Sequence, residues 1–161
     1  ALNRRSFQDH FTDIEKMVFR MEKSEKSLFL IAADIDYFKL INDNLGHDVG
    51  DKVLVAFVKL VEASIRPIDK IYRFGGEEFM ILLQECKTDT AVQRLEQIMQ
   101  LLNEGNLGVE ELDQPVTCSF GITPILVTDT IDSVCIRADE ALYSAKNNGR
   151  NQYVFDSGGK K

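Results

Sequence analysis

Two short acidic clusters in this sequence could do chemistry together. Asp34-Ile35-Asp36 ends a continuous apolar run from Leu28 to Ala33, and Glu77-Glu78 follows a Gly75-Gly76 pair. A run of that kind suits a central strand, which delivers acidic side chains at its C-terminal end. The Gly-Gly pair lies between two strand-like segments, Ile71 to Phe74 and Glu77 to Leu83, and suits the positive backbone angles of a tight hairpin. If strand end and hairpin tip share a sheet edge, several carboxylates gather without Arg partners and repel. A hard divalent cation resolves the repulsion, because Mg2+ takes one or two carboxylates and keeps water and substrate phosphate oxygens. Together the acids predict a metal and a phosphorylated substrate. Taken singly they have plainer uses, Asp34 and Asp36 as turn or helix caps and the Glu pair as solvated hairpin charges.

Lys39, Lys146 and Arg150 lie next to glycines or helix termini, where cations can reach a triphosphate. Such side chains are also commonly solvated. The chain as a whole carries a formal net charge of -7, which disfavours non-specific binding to nucleic acid or anionic membranes. An anionic ligand therefore needs local cations or metal. Cys86, Cys118 and Cys135 are an odd set with no C-x-x-C spacing, so they read as buried free thiols rather than a disulfide framework or zinc site. No run of about 18 apolar residues and no signal-peptide order is present, which predicts a soluble cytoplasmic domain without direct membrane contact.

The elements that must position these residues are legible from periodicity. Phe7, Phe11, Ile14, Met17, Val18 and Met21 predict an amphipathic helix from Asn3 to about Lys23. A short helical piece spans Tyr37 to Asn44. After the Gly46 break a longer helix starts near Asp48, carries Val49, Val53, Phe57 and Leu60 on one side, and stops at Pro67. Thr90 to Asn103 and Ile131 to Asn147 are two further helices, with Gly149 closing the second. Val116 to Ile125 reads as a strand, Tyr153 to Phe155 as a last short one, and Gly105 to Gln114 as a polar connection. With 161 residues and 44% hydrophobic composition, one domain over residues 1–156 is expected, with residues 157–161 as a flexible tail. Strands alternating with helices around one hairpin favour a mixed sheet with packed helices.

Arg73-Phe74-Gly75-Gly76-Glu77-Glu78-Phe79 resembles the signature of the GGDEF family, in the variant with Glu at the third position. Asp34-Ile35-Asp36-Tyr37-Phe38-Lys39-Leu40-Ile41-Asn42-Asp43, then Gly46-His47-Asp48 and Gly50-Asp51, is similar to the family's nucleotide segment in order and distance. Val116-Thr117-Cys118-Ser119-Phe120-Gly121-Ile122 and Ala138-Asp139-Glu140-Ala141-Leu142-Tyr143-Ser144-Ala145-Lys146, running into Gly149-Arg150-Asn151, extend the likeness over nearly the whole chain. Ala1-Leu2-Asn3-Arg4-Arg5 looks like the end of the family's first motif, so an N-terminal truncation and an upstream sensory or regulatory domain are expected.

The resemblance implies an α+β fold of ferredoxin-like or nucleotidyl-cyclase (polymerase-palm-like) type, with a mainly antiparallel mixed sheet and the GGEEF hairpin at its centre. It implies a diguanylate cyclase that condenses two GTP into cyclic di-GMP and pyrophosphate, with two Mg2+ per active site and Mn2+ as a substitute. Asp34, the Ile35 carbonyl, Glu77 and Glu78 would hold metal. Glu77 would also accept the 3'-hydroxyl proton, and Asp36 would support the others. Lys39, Lys146 and Arg150 match the positions that meet the β- and γ-phosphates. Asn42 and Asp51 match the guanine-binding positions, while Phe38, Gly75 and Gly76 lie beside the nucleotide. His47 is either a nucleotide neighbour or a turn residue. Each site holds one GTP, so a homodimer is implied. Arg66 and Asp69 stand at the family's R-x-x-D spacing for inhibitory product binding, although Gln97 falls where a secondary Arg is often supplied and Arg94 lies about a turn away. A non-catalytic receptor for cyclic di-GMP or GTP is the alternative function.

Overall fold

Apolar residues in this chain run unbroken along the central strands and recur at three and four on helices, and the computed structural model, which describes residues 1–105 and 107–159, resolves that pattern into two cores on either side of one sheet. The strands are β1 (Leu2–Asn3), β2 (Ser27–Ile35), β3 (Lys70–Gly75), β4 (Glu78–Cys86), β5 (Cys118–Pro124) and β6 (Tyr153–Phe155). The helices are α1 (Arg4–Met21), α2 (Phe38–Leu45), α3 (His47–Ser64), α4 (Thr88–Asn103) and α5 (Ile131–Asn147). Sheet order is β1-β3-β4-β2-β5-β6. The central pairings are antiparallel, and only the outer pairs, β1 with β3 and β5 with β6, are parallel.

β2 and β4 occupy the middle and are apolar on both faces because both faces are covered. Phe29, Ile31, Ala33 and Ile35 of β2, with Phe79, Ile81 and Leu83 of β4, pack under α3 and α4. The alternate residues Leu28, Leu30, Ala32, Met80 and Leu82 pack under α1 and α5. α1 begins where the Asn3 side chain accepts the Ser6 amide at 2.8 Å. Its buried residues Phe7, Phe11, Ile14 and Val18 form one stripe. α5 opens with a capping box in which Thr130 and Ser133 satisfy each other's backbone amides.

The sheet's most consequential close approach is at Gly121 on β5. A Cβ there would stand 2.3 Å from both the Ala138 carbonyl oxygen and the Leu142 amide of α5. Only glycine lets α5 lie this close to the sheet. Beyond the far end of β5, Arg137 of α5 is clasped by Asp129, Thr123 and the Pro124 carbonyl, a mostly buried network that pins the helix.

The mixed, mainly antiparallel α+β fold expected from the sequence is the one observed. Two details differ. β1 was not anticipated, since two residues carry no period to read; it forms because Leu2 and Asn3 run parallel to Tyr72 and Arg73. In the hairpin, Gly76 alone takes a positive φ, 30°, whereas Gly75 ends β3 beside a bulge that absorbs the remaining bend. Of the tail, Gly158 donates its amide to Asp156 at 2.8 Å, and Lys160 and Lys161 lie outside the described residues. Cys86 and Cys118 are buried free thiols and Cys135 is half-buried. Among the described residues no helix is long and apolar enough to cross a membrane.

Candidate active site

The register of the central strands decides whether the two acidic clusters meet. In the antiparallel β2–β4 ladder Asp34 lies directly opposite Glu78. Directly opposed residues have Cβ atoms about 4.5–5.5 Å apart on the same face. That face is the α1/α5 side, because Ala33, Ile35 and Phe79 point into the other core. The Ile35 amide donates to the Glu77 carbonyl at 3.3 Å, which carries the pairing into the hairpin and leaves the Ile35 carbonyl at the strand terminus.

Lys146 of α5 reaches down to this spot and donates to the Asp34 carboxylate. Even so, Asp34 is held above the ordinary carboxylate range. Burial is the main cause, the Lys146 contact opposes it, and the Glu77 and Asp36 charges add to it. Glu78 is raised as well, first by burial and then by the charges of Asp34, Asp139 and Glu77. One ammonium does not balance this group of acids. Among the described residues no three His, Cys, Asp or Glu side chains converge as a ready-made metal cage. Hard oxygen donors with too little positive charge nevertheless suit Mg2+, which binds through one or two carboxylates and completes its shell with water and phosphate oxygens.

Asp36 has a different environment. Its Oδ1 accepts from Ser119 Oγ at 2.6 Å, and its Oδ2 accepts from Thr117 Oγ1 at 2.7 Å and from the Asn151 amide at 3.0 Å. A carboxylate so fully engaged is a brace rather than a free ligand. It ties the end of β2 to the approach to β5 and to the turn after α5. Beside it, the Cys118 thiol donates to the Asp34 carbonyl at 3.2 Å, and complete burial pushes its pKa well up, so it packs rather than reacts.

The expected phosphate cations lie on α5, on α2 and in the turn after α5. Lys146 is on Asp34, Lys39 is exposed in the first turn of α2, and the Arg150 guanidinium lies over the Tyr37 ring at 5.1 Å from its centroid. Phe38, the first residue of α2, is buried in the core beside α3. Asn42 packs across to α3, where a Cβ at Gly50 would collide with its Oδ1 at 1.8 Å, and that oxygen is buried without a hydrogen-bond partner. Asp51 is exposed one turn into α3, and the exposed His47 is its first residue, directly after Gly46 with φ 92°. Gly75 and Gly76 are open, with nothing near the space a side chain would fill.

Arg66 and Asp69 are brought together, but at the opposite end of β3 from the hairpin, roughly 20 Å away at 3.3 Å per strand residue. They are paired with each other. Asp69 accepts from Arg66 Nε at 3.3 Å, from the Arg66 amide at 3.0 Å and from the Gln84 amide at 2.9 Å, while Arg66 also reaches the Gln84 carbonyl.

Sequence reasoning assigned no role to Tyr37, Thr117 and Ser119. A signal was present for the last two, since polar residues at alternate positions beside an apolar strand mark a face that meets other polar groups. Tyr37 has no such signal. Its left-handed backbone, φ 57° and ψ 30°, turns the chain from β2 into α2.

A mainly antiparallel sheet between two helical layers, with acids from a central strand end and an adjoining hairpin, defines the nucleotidyl-cyclase class of α+β domain. The chain belongs to the GGDEF family: the family's sequence model, described as diguanylate cyclase, GGDEF domain, matches residues 2–152. Diguanylate cyclase DgcM of Escherichia coli K12 is 39% identical over 153 residues, 95% of this chain and 36% of that protein. Diguanylate cyclase DgcP of Pseudomonas aeruginosa is 37% identical over 139 residues, 86% of this chain and 21% of its own length. The chain thus spans about a third or less of these two relatives. Among solved structures, the active GGEEF domain of a diguanylate cyclase from Vibrio cholerae matches with a TM-score of 0.80 at 36% identity, covering 96% of both chains. The coiled coil and GGDEF domain of DgcB from Caulobacter crescentus, in complex with c-di-GMP, matches with a TM-score of 0.81 at 27% identity, covering 96% of this chain and 81% of that one.

Proposed function

We propose that this domain condenses two GTP molecules into cyclic di-GMP, releasing two pyrophosphates, with Mg2+ held by Asp34, the Ile35 carbonyl, Glu77 and Glu78. The observation that carries the proposal is the placement of Asp34 opposite Glu78 on one face, both raised above the normal carboxylate range by burial and by neighbouring carboxylate charges. Bound there, the metal supplies charge stabilisation for the attacking and leaving oxygens of an in-line displacement at the α-phosphorus. Glu77 takes the proton from the 3'-hydroxyl as it attacks. Lys39, Lys146 and Arg150 bind the β- and γ-phosphates, with Lys146 transferring from Asp34 to the triphosphate. Phosphate charge then replaces carboxylate charge as its partner, and neither group is left buried and unpaired.

Asn42 and Asp51 read the base. Guanine presents N1–H and an exocyclic amine, which suit the carboxylate of Asp51 and the unpartnered Oδ1 of Asn42 once that side chain turns out from Gly50. Adenine has an acceptor at N1 and leaves Asp51 facing a lone pair, so ATP is rejected. Phe38 anchors the start of α2 in the core, and the bare Gly75-Gly76 bend leaves room for the nucleotide. Because each domain holds one GTP, turnover takes place between two copies related by a two-fold axis. An upstream sensory or regulatory region would control that pairing.

Product feedback belongs to the same proposal. Cyclic di-GMP binds at Arg66 and Asp69 after Arg66 swings off Asp69 and Gln84. The half-buried Arg66 reaches solvent and would make that movement by giving up these bonds, whereas the Asp69 side chain is fully enclosed. The decisive test is purified protein with GTP and Mg2+, products separated by chromatography over a range of protein concentrations. Cyclic di-GMP should form at a rate that rises faster than protein concentration, and Glu77→Gln should abolish it while GTP still binds. No cyclic di-GMP from any dimeric form would overturn the proposal. Calorimetry with cyclic di-GMP on wild type and Arg66→Ala tests the feedback site separately.

A further inference from the structure

The proposed triphosphate contacts include Arg150, and the structure suggests how that side chain is aimed. Arg150 and Asn151 form a turn immediately after α5 and Gly149, and both have left-handed backbone angles, φ 63° and φ 48°. Non-glycine residues adopt that region uncommonly, asparagine more readily than arginine. Two consecutive residues just after β2 hold this turn. Asp36 accepts the Asn151 amide at 3.0 Å, fixing the backbone of the turn to the strand. Tyr37, itself at φ 57°, presents its ring to the Arg150 guanidinium at 5.1 Å. Among the described residues no carboxylate lies within ion-pair distance of Arg150, so the ring is the neighbour that orients the cation.

We propose that Tyr37 is a positioning residue for Arg150: with the Asp36 brace holding the turn, its ring forms a shelf that presets the guanidinium for the nucleotide phosphates. The inference rests on the reading of Arg150 as a triphosphate contact. An aromatic face suits the task better than a carboxylate would. It limits the guanidinium's freedom without neutralising its charge, and the five N–H donors at the edge of the planar group stay available to phosphate oxygens. A carboxylate would have to be stripped away at each binding event. A solvated arginine would have to give up its rotamer freedom instead. Tyr37 is 59% exposed, which is wasteful for a tyrosine with no partner and reasonable for one that supports a ligand contact.

Exposure also makes the residue testable without disturbing the core. The experiment measures GTP affinity in the presence of Ca2+, which occupies oxygen sites but supports little phosphoryl transfer, for wild type, Tyr37→Leu, Tyr37→Phe, Arg150→Ala and the Tyr37→Leu/Arg150→Ala pair. A cation–π contact at an exposed site is worth about a two- to fivefold change in affinity. Tyr37→Leu should weaken GTP binding by that factor, Tyr37→Phe should restore it by keeping the ring, and Tyr37→Leu should add nothing once Arg150 is gone. Thermal melting should be the same for both Tyr37 variants. If Arg150→Ala weakens binding but Tyr37→Leu does not, or if the two losses multiply in the double variant, the positioning role is wrong while the nucleotide site stands. If Arg150→Ala itself leaves GTP affinity unchanged, the assignment of Arg150 to the triphosphate fails, and the shelf fails with it.

Discussion

Replacing Gly121 by alanine probes the link between helix packing and the reaction centre. The added Cβ would stand 2.3 Å from the Ala138 carbonyl oxygen and the Leu142 amide, and 2.8 Å from the Ala141 carbonyl carbon. These are backbone atoms in the middle of a helix and cannot rotate away. Relaxed non-bonded contacts lie near 3.5 Å, so α5 must rise from the sheet by about 1 Å. Overpacking of this kind costs about 1–3 kcal/mol, and for a domain of this size each kcal/mol lowers Tm by about 2–4 °C. A loss of about 2–12 °C is therefore expected. The functional consequence should be larger than stability alone explains, because α5 carries Lys146 to Asp34 and leads into the Arg150 turn. A 1 Å misplacement of reacting groups can cost on the order of 100-fold in rate. The assay pairs thermal melting with GTP turnover at a temperature where the variant is fully folded. A variant that melts within a degree of wild type and turns over GTP normally would refute the reasoning that α5 is seated by this glycine.

Other substitutions test the electrostatics. Asp34→Asn should abolish turnover yet raise Tm in metal-free buffer at pH 7. The folded-state pKa of Asp34 is raised, chiefly by burial, so its ionised form costs the folded protein stability as pH rises through that value; a lower Tm would contradict this. At the other end of α5 the sign reverses. Burial alone would raise Asp129, but hydrogen bonds from Arg137, the Leu126 amide and Ser133 hold it below its ordinary value of 3.8. Its contribution is present above that value and is lost as pH falls through the lower folded pKa. Asp129→Asn should therefore cost roughly 3 kcal/mol in urea unfolding at pH 7, as expected when one partner of a largely buried ion pair is removed. The difference from wild type should narrow below pH 3.8.

How far the sequence reaches depends on whether a feature is periodic or long-range. The β2 run and the Gly75-Gly76 bend were legible because burial on both faces leaves an unbroken apolar segment and a hairpin needs permissive residues. From those two features the approach of Asp34 to Glu78 could be anticipated. The boundaries of α4 and β5 moved by two residues, Thr88 instead of Thr90 and Cys118 instead of Val116, which is the fraying expected at element ends. What could not be read was partnership across the chain. The closure of Asp69 on Arg66 depends on the Gln84 amide, 15 residues further on and reached only through the β3–β4 register. The bracing of Asp36 depends on Thr117, Ser119 and Asn151, which come from two later segments. Tyr37 looked like one more residue in a motif until the turn after α5 was seen to lie against it.

The central claim is that acids from a strand end and a glycine bend jointly hold the ion that carries the nucleotide. Crystals grown with Mn2+ and a non-hydrolysable GTP analogue, examined by anomalous diffraction, test it most directly. The account predicts an anomalous peak in coordinating contact with both Asp34 and Glu78, with Lys146 moved onto the triphosphate. An ordered nucleotide whose metal touches neither carboxylate, with Lys146 still on Asp34, would contradict it.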